Sequence, residues 1–234
     1  MKLVLFDIDG TVLLSDGAGK RAVHRALAEV YGSSGPSDYR FDGKTDPQIV
    51  RELLRSDGHA DEHIDDHMPR ALHRYVEVLA EELDSPRHTP RALPGVVRLL
   101  DTLAARSDAI LGLLTGNVID GARAKLAAVG IDPARFEVGA YGSDHEQRAE
   151  LPSIAARRVQ VAHGQHMTGQ DIVIIGDTPS DVQCGRSLGV RAIGVATGQY
   201  SVKALLACGA FAAFDDLSDA DAVIAAIFAP PTAS

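Results

Sequence analysis

Leu3-Val4-Leu5-Phe6-Asp7-Ile8-Asp9-Gly10-Thr11 carries the most information of any segment of this chain. Four consecutive apolar residues suit a strand buried on both faces, as in a parallel sheet. Two carboxylates at i and i+2 of an extended segment then point to one side. Gly10 and Thr11 turn the chain directly after them. Open α/β sheets bind ligands at the carboxyl ends of their strands, and this pair is delivered there. Adjacent carboxylates repel, so a cation or a shared proton is expected between them. An oxygen-only site suits Mg²⁺. The other division of labour makes one carboxylate a nucleophile and the other an acid/base. An exposed Asp-Gly turn would read the same in isolation, so the remaining chain must discriminate. A calcium loop fits poorly, because its fifth and twelfth positions fall on Thr11 and Ala18 and no helix precedes it.

Further apolar runs occupy Ala109–Leu114, Phe136–Ala140, Ile172–Ile175 and Ala192–Val195, with a weaker one at Ala210–Phe214. Helical spacing separates most of them: Val96-Val97-Leu99-Leu100-Leu103 after Pro94-Gly95, and Ala122-Ala124-Leu126-Ala127-Val129 before Gly130. Asp181 to Leu188 reads as another short helix closed by Gly189. The alternation predicts an α/β protein with a doubly wound parallel sheet. Residues 15–91 break the rhythm. They read as helices over Lys20–Tyr31, Asp46–Ser56 and about Asp61–Leu83, with a Gly/Ser/Pro loop at 32–37. The expected organisation is an α/β core from 1–14 and 92–234 with a helical insertion at 15–91. The closing Ala229-Pro230-Pro231-Thr232-Ala233-Ser234 is expected to fray.

Two other strand ends carry polar groups. Leu113-Leu114-Thr115-Gly116-Asn117 presents a hydroxyl and main-chain N–H groups suited to a phosphate oxygen. Ile174-Ile175-Gly176-Asp177-Thr178-Pro179-Ser180-Asp181 delivers a third acid, with Asp181 at a helix start. A helix cap is the ordinary role of such an Asp, but acids at two strand ends of one sheet converge on one pocket. Phosphate chemistry there needs a fixed positive side chain. No Lys lies between Phe136 and Asp171, and Arg148 is the best-placed cation.

Composition sets the outer bounds. The 234 residues are 45% hydrophobic and 24% charged, which is ordinary globular material. The 23 Lys+Arg against 32 Asp+Glu give −9, which disfavours nucleic acid or an anionic membrane as partner. Cys184 and Cys208 are too few for a disulfide framework and are expected as reduced thiols. No leader is visible, and no segment approaches the roughly 20 apolar residues of a membrane span. A soluble cytoplasmic protein is expected.

With these motifs in order, the chain resembles the haloacid dehalogenase superfamily, and within it the phosphoglycolate phosphatase-like and β-phosphoglucomutase-like subgroup. Asp7-Ile8-Asp9-Gly10-Thr11 matches the first motif, Thr115 the second, Arg148 stands at the third, and Gly176-Asp177-Thr178-Pro179-Ser180-Asp181 matches the fourth. The resemblance spans essentially the whole chain and implies a Rossmann-like core with a helical cap of type C1. It departs at the third motif, where many relatives have Lys-Pro and this chain has Arg148-Ala149. It implies a Mg²⁺-dependent phosphatase acting on a small phosphorylated metabolite. Asp7 would be the nucleophile and Asp9 the acid/base. Mg²⁺ would be held by Asp7, Asp9 through its carbonyl, and Asp177, with Asp181 supporting its water shell. Thr115 and Arg148 would hold phosphoryl oxygens. Gly10, Thr11, Gly116, Asn117 and the insertion's Lys44 complete the expected substrate-binding set. A sugar phosphomutase and a non-catalytic phosphate-binding module are the competing functions. An intact Asp9 argues against dehalogenation, and a Schiff-base phosphonatase would have only Lys20 or Lys44 in the insertion to use.

Three lookalikes fall away or stay secondary. Gly17-Ala18-Gly19-Lys20 misses the P-loop spacing. No Gly-x-Ser-x-Gly elbow is present. His59, His63 and His67 recur every four residues and could bind Zn²⁺, but a solvated helix face is the plainer expectation.

Overall fold

The computed structural model describes residues 1–230. Positions 231–234 of the tail expected to fray lie outside the described residues. Strand β1 (Lys2–Phe6) is followed by a two-residue strand, β2 (Leu13–Leu14). Three helices come next: α1 (Ala18–Tyr31), α2 (Asp46–Ser56) and α3 (Asp61–Asp84). Strand β3 (Arg91–Ala92) then pairs antiparallel with β2. The remaining chain alternates: α4 (Val96–Ala104), β4 (Ala109–Thr115), α5 (Ile119–Ala128), β5 (Val138–Tyr141), α6 (Leu151–His163), β6 (Ile172–Gly176), α7 (Pro179–Cys184), β7 (Arg191–Val195), α8 (Val202–Ala207), β8 (Ala212–Phe214) and α9 (Ala220–Phe228).

The main sheet has the order β5-β4-β1-β6-β7-β8, and every pairing in it is parallel. Both of its faces are covered, which explains the unbroken apolar runs. Val4 and Phe6 pack with Leu99, Leu103, Leu126 and Ile227 on one side. Leu3 and Leu5 pack with Leu151, Ala155 and Val159 on the other. Connections run to opposite sides of β1, so the crevice at the strand ends opens beside it. Phe6 is level with Leu113 of β4 and Ile175 of β6. Asp7, Thr115 and Asp177 therefore emerge along one rim.

The inserted helices carry an apolar cluster of their own. Val23, Leu27, Leu53, Leu54, Ile64, Tyr75 and Leu79 pack together, joined by Val118 from the sheet side. Thr45 caps α2 by accepting the Gln48 N–H, and Pro47 opens its first turn. Gly32 ends α1 in a left-handed conformation.

Three local expectations shift, and one element appears that the sequence pattern does not announce. The β2–β3 ribbon that brackets the insertion is too short to leave a periodic signal. The strand expected from Phe136 begins at Val138, because Phe136 closes a short 3₁₀ turn and sets its ring edge-on to Phe6 at 6.3 Å between centroids. The weak run from Ala210 is a strand only over Ala212–Phe214. The single helix expected over Asp181–Leu188 breaks at Gly185, where α7 ends and a 3₁₀ turn, Arg186–Leu188, begins. Both cysteines are free. No helix among the described residues is long and apolar enough to cross a membrane.

Candidate active site

Three strand ends build the site. Asp7 follows β1, and its N–H is fixed by the Ile175 carbonyl at 2.9 Å. Asp177 follows β6 and accepts a 3.3 Å hydrogen bond from the Thr11 hydroxyl. Asp181 lies in the first turn of α7, where it and Thr178 form a reciprocal capping box. Asp7, Asp177 and Asp181 can each offer a carboxylate oxygen such that all three atoms lie within 4.8 Å of one another. Glycines allow this crowding. A Cβ at Gly10 or Gly198 would overlap the Asp177 carboxylate, and one at Gly176 would overlap that of Asp181.

Arg148 is buried among these acids. Its guanidinium lies 2.9 Å from Asp7 Oδ1 and 2.5 Å from Asp181 Oδ1. Burial works against its charge, but Asp181 and Asp7 outweigh that and hold it protonated. One cation does not answer three acids. Burial, with further repulsion from Asp181 and Asp9 and against the pull of Arg148, pushes Asp7 up to about 6. Burial, then Asp181 and Asp7, push Asp177 up to about 8. An all-oxygen donor set with unanswered negative charge in a glycine cradle fits a hard divalent cation such as Mg²⁺. Asp181 takes part at one remove. Its Oδ1 faces Arg148, and its Oδ2 accepts the N–H and hydroxyl of Thr178 at 2.9 and 2.6 Å.

Asp9 stands apart from this cluster. Its Oδ2 accepts from Asn117 Nδ2 at 2.8 Å and from Lys125 Nζ at 2.6 Å. Asn117 also donates to Thr115 Oγ1 at 2.8 Å and accepts from Lys125 at 2.6 Å. The Asn117 side chain is thus engaged by protein groups on both of its ends. Lys125 is absent from the expected set. The available signal is its place on α5, inside the buried stripe that contains Ala122 and Leu126.

These groups face a cavity of about 450 Å³ between the strand ends and the insertion. Asp7, Asp9, Lys44, Thr115, Gly116, Asn117, Arg148 and Asp177 line it. Gly10 and Thr11 do not appear in its wall: Gly10 adopts a positive φ, and both residues sit against Asp177 rather than facing the substrate space. Lys44 reaches the cavity with its ammonium already paired to Glu52 Oε2 at 2.7 Å and to the Tyr39 hydroxyl. Main-chain contact joins the two sides. Asp46 N donates to the Gly116 carbonyl at 2.7 Å, and Val118 N donates back to Asp46 Oδ2 at 2.8 Å. Burial, only partly offset by Lys125 and the Val118 N–H, raises Asp46 to about 6.

The three histidines form an aromatic stack. His59 and His63 are 5.5 Å apart between ring centroids and His63 and His67 are 4.6 Å apart, all against Tyr31. Among the described residues, Asp7, Asp177 and Asp181 are the group placed to hold a metal.

The family model for haloacid dehalogenase-like hydrolases matches residues 4–186. A phosphoglycolate phosphatase of Rhodospirillum rubrum is 30% identical over 222 residues, which cover 93% of this chain and 88% of that protein. Among solved structures, a hydrolase from Pseudomonas syringae superposes with a TM-score of 0.71 at 21% identity, covering 95% of this chain and 97% of that one. CbbY from Rhodobacter sphaeroides, in complex with phosphate, gives 0.67 at 20% identity, covering 94% and 96%. The two structural likenesses establish a shared fold.

Proposed function

The chain belongs to the haloacid dehalogenase-like hydrolase family, and we propose that it hydrolyses a small phosphorylated metabolite of the phosphoglycolate or sugar-phosphate kind, through an aspartyl-phosphate on Asp7 and with Mg²⁺. It is a phosphoric monoester hydrolase. The observation that carries the finer reading is the buried Asp7 beside Arg148, with Asp9 two residues on and held by separate partners. The substrate class is supported by the name of the R. rubrum relative.

In this reading the Asp7 carboxylate attacks phosphorus while the bond to the leaving oxygen breaks. Asp9 gives that oxygen a proton. Asp9 then takes a proton from water, the water oxygen attacks phosphorus, and inorganic phosphate leaves with Asp7 restored. Arg148 and Thr115 bind phosphoryl oxygens and position the group for in-line attack. Asp7, the Asp9 carbonyl and Asp177 would hold Mg²⁺, with Asp181 behind them, and the ion when bound neutralises charge on the phosphoryl oxygens. Residues 15–91 act as a cap over a core formed by 1–14 and the described residues from 92 to 230, and its closure keeps water from the site during transfer. Lys44, Gly116 and Asn117 contribute to the substrate wall. Gly10 and Thr11 serve the site by seating Asp177.

A panel of phosphorylated metabolites assayed with Mg²⁺, wild type beside Asp7→Asn, tests this. Phosphate release by the wild type and a loss of roughly 10³-fold or more in the variant are expected. Retained turnover in folded Asp7→Asn would falsify the nucleophile assignment. Isomerised sugar phosphate in place of free phosphate would mark a phosphomutase, and silence across the panel a binding module.

A further inference from the structure

We propose that Lys125 is a positioning residue that fixes the Asp9 carboxylate for its proton transfers; this rests on the reading of Asp9 as the acid/base. Buried lysines are rare without a partner that requires them. Lys125 is only 4% exposed. It projects from α5, whose neighbouring positions Ala122 and Leu126 belong to the core. Its ammonium donates to Asp9 Oδ2 and to Asn117 Oδ1, each at 2.6 Å. An ammonium has donors only, so Asn117 must turn its oxygen to Lys125 and its amide nitrogen to Asp9. That amide then donates to the same Asp9 oxygen at 2.8 Å and to Thr115 Oγ1 at 2.8 Å. Lys125 thereby sets the orientation of Asn117 as well as that of Asp9.

Two donors on one oxygen hold the carboxylate against rotation. The Asp9 side chain is still 42% exposed and lines the cavity, so the clamp leaves part of the carboxylate open to a substrate. The inserted helices accommodate the arrangement. Gly19 in the first turn of α1 has no side chain, and a Cβ there would come within 3.2 Å of Lys125 Nζ and 3.9 Å of the Tyr75 hydroxyl. The ammonium occupies space that any larger residue at 19 would contest.

A residue acting through a general acid has a signature that a merely structural lysine lacks. Proton donation matters most when the leaving oxygen is basic, as in phenyl phosphate, and least when it is activated, as in 4-nitrophenyl phosphate. Both esters are assayed with Mg²⁺ on one preparation, so any unfolded fraction cancels in the ratio of their kcat/KM values. Lys125→Met should lower the phenyl to nitrophenyl ratio about tenfold, a part of the roughly 10²–10⁴-fold that a positioned acid contributes. Lys125→Gln should do the same, and Lys125→Arg should return part of the loss. Asp9→Asn should lower the ratio at least as far, and adding Lys125→Met to Asp9→Asn should lower it no further. An unchanged ratio in both Lys125→Met and Lys125→Gln, with Asp9→Asn still shifted, overturns the inference and leaves the acid/base reading standing. An unshifted ratio in Asp9→Asn fells the acid/base reading, and this inference with it.

Discussion

The two walls of the cavity handle charge in opposite ways. On the sheet side, acids are buried with their charge incompletely answered, and Asp7 and Asp177 stand at about 6 and about 8. On the side of the inserted helices the cations arrive paired. Arg40 faces Asp42 at 2.8 Å, Lys44 faces Glu52 at 2.7 Å, and Lys20 donates to the Tyr39 carbonyl at 3.0 Å. In the proposed mechanism the first wall receives a cation and a phosphoryl group. On the second, Arg40 and Lys44 would hold an anionic leaving group by exchanging carboxylates they already face, whereas Lys20 is bonded to a main-chain carbonyl. On the proposed mechanism, reaction type belongs to the sheet wall, and selectivity on the other wall includes a competition between substrate and internal ion pairs.

The largest effect on stability should come from the sheet wall's own cation. Arg148→Met leaves Asp7 and Asp181 buried without their shared partner. Breaking a buried pair in this way is expected to destabilise the fold by about 3–5 kcal/mol, read by chemical denaturation. Turnover should fall by roughly 10²-fold or more, since a fixed charge at the phosphoryl group is lost. A variant of unchanged stability would contradict the account of an incompletely balanced cluster.

Next in size is the response to Mg²⁺. Adding the ion should raise the unfolding temperature of the wild type, because ligand binding to the native state stabilises by about 2.7 kcal/mol at a hundredfold excess over Kd. Asp177→Asn should lose most of that response and the activity that chelators remove. Lys44→Met, on the opposite wall, should keep the Mg²⁺ response and the chelator-sensitive activity toward an ester with a neutral leaving group. A thermal scan of the three proteins with and without Mg²⁺ separates the walls directly, and a lost response in Lys44→Met would show that they are coupled.

The asymmetry also explains what could be read from the sequence. Asp7, Thr115 and Asp177 were legible because each terminates an apolar run, and a parallel sheet brings such termini to one rim whatever the intervening chain does. Arg148 was legible by default, as the best-placed cation in a segment without lysine. Lys125 was not, because a lysine on a helix ordinarily faces water, and its burial depends on how α5 sits beneath the glycine of α1. Asn117 was placed correctly at the strand end, but its amide turns toward Asp9 and Thr115, a matter of side-chain partners that spacing does not encode. Lys44 is the converse case. Its loop position beside the cavity was legible, while its pairing with Glu52 required the fold of α2. The helices α8 and α9 are short and rich in small apolar residues, so their periodicity is weak against the strands that flank them.

The smallest expected effect is the most direct probe of the helical wall. The side chains of Lys44 and Glu52 are 28% and 34% exposed, so water screens much of their attraction. Burial lowers the pKa of Lys44, which also marks its charge as less than fully solvated. A double-mutant cycle with Lys44→Met and Glu52→Gln should give a coupling to stability below about 1 kcal/mol, as for other partly exposed pairs. The kinetic consequence should be asymmetric. Freeing Lys44 by Glu52→Gln should lower KM for an ester whose leaving group carries a second negative charge and leave KM for a neutral one unchanged. Removing the ammonium by Lys44→Met should raise KM for the charged ester alone. If both substitutions leave the charged and neutral esters undistinguished, the pair is architectural, and selectivity on that wall must rest on Lys20, Arg40 and the aromatic rings beside them.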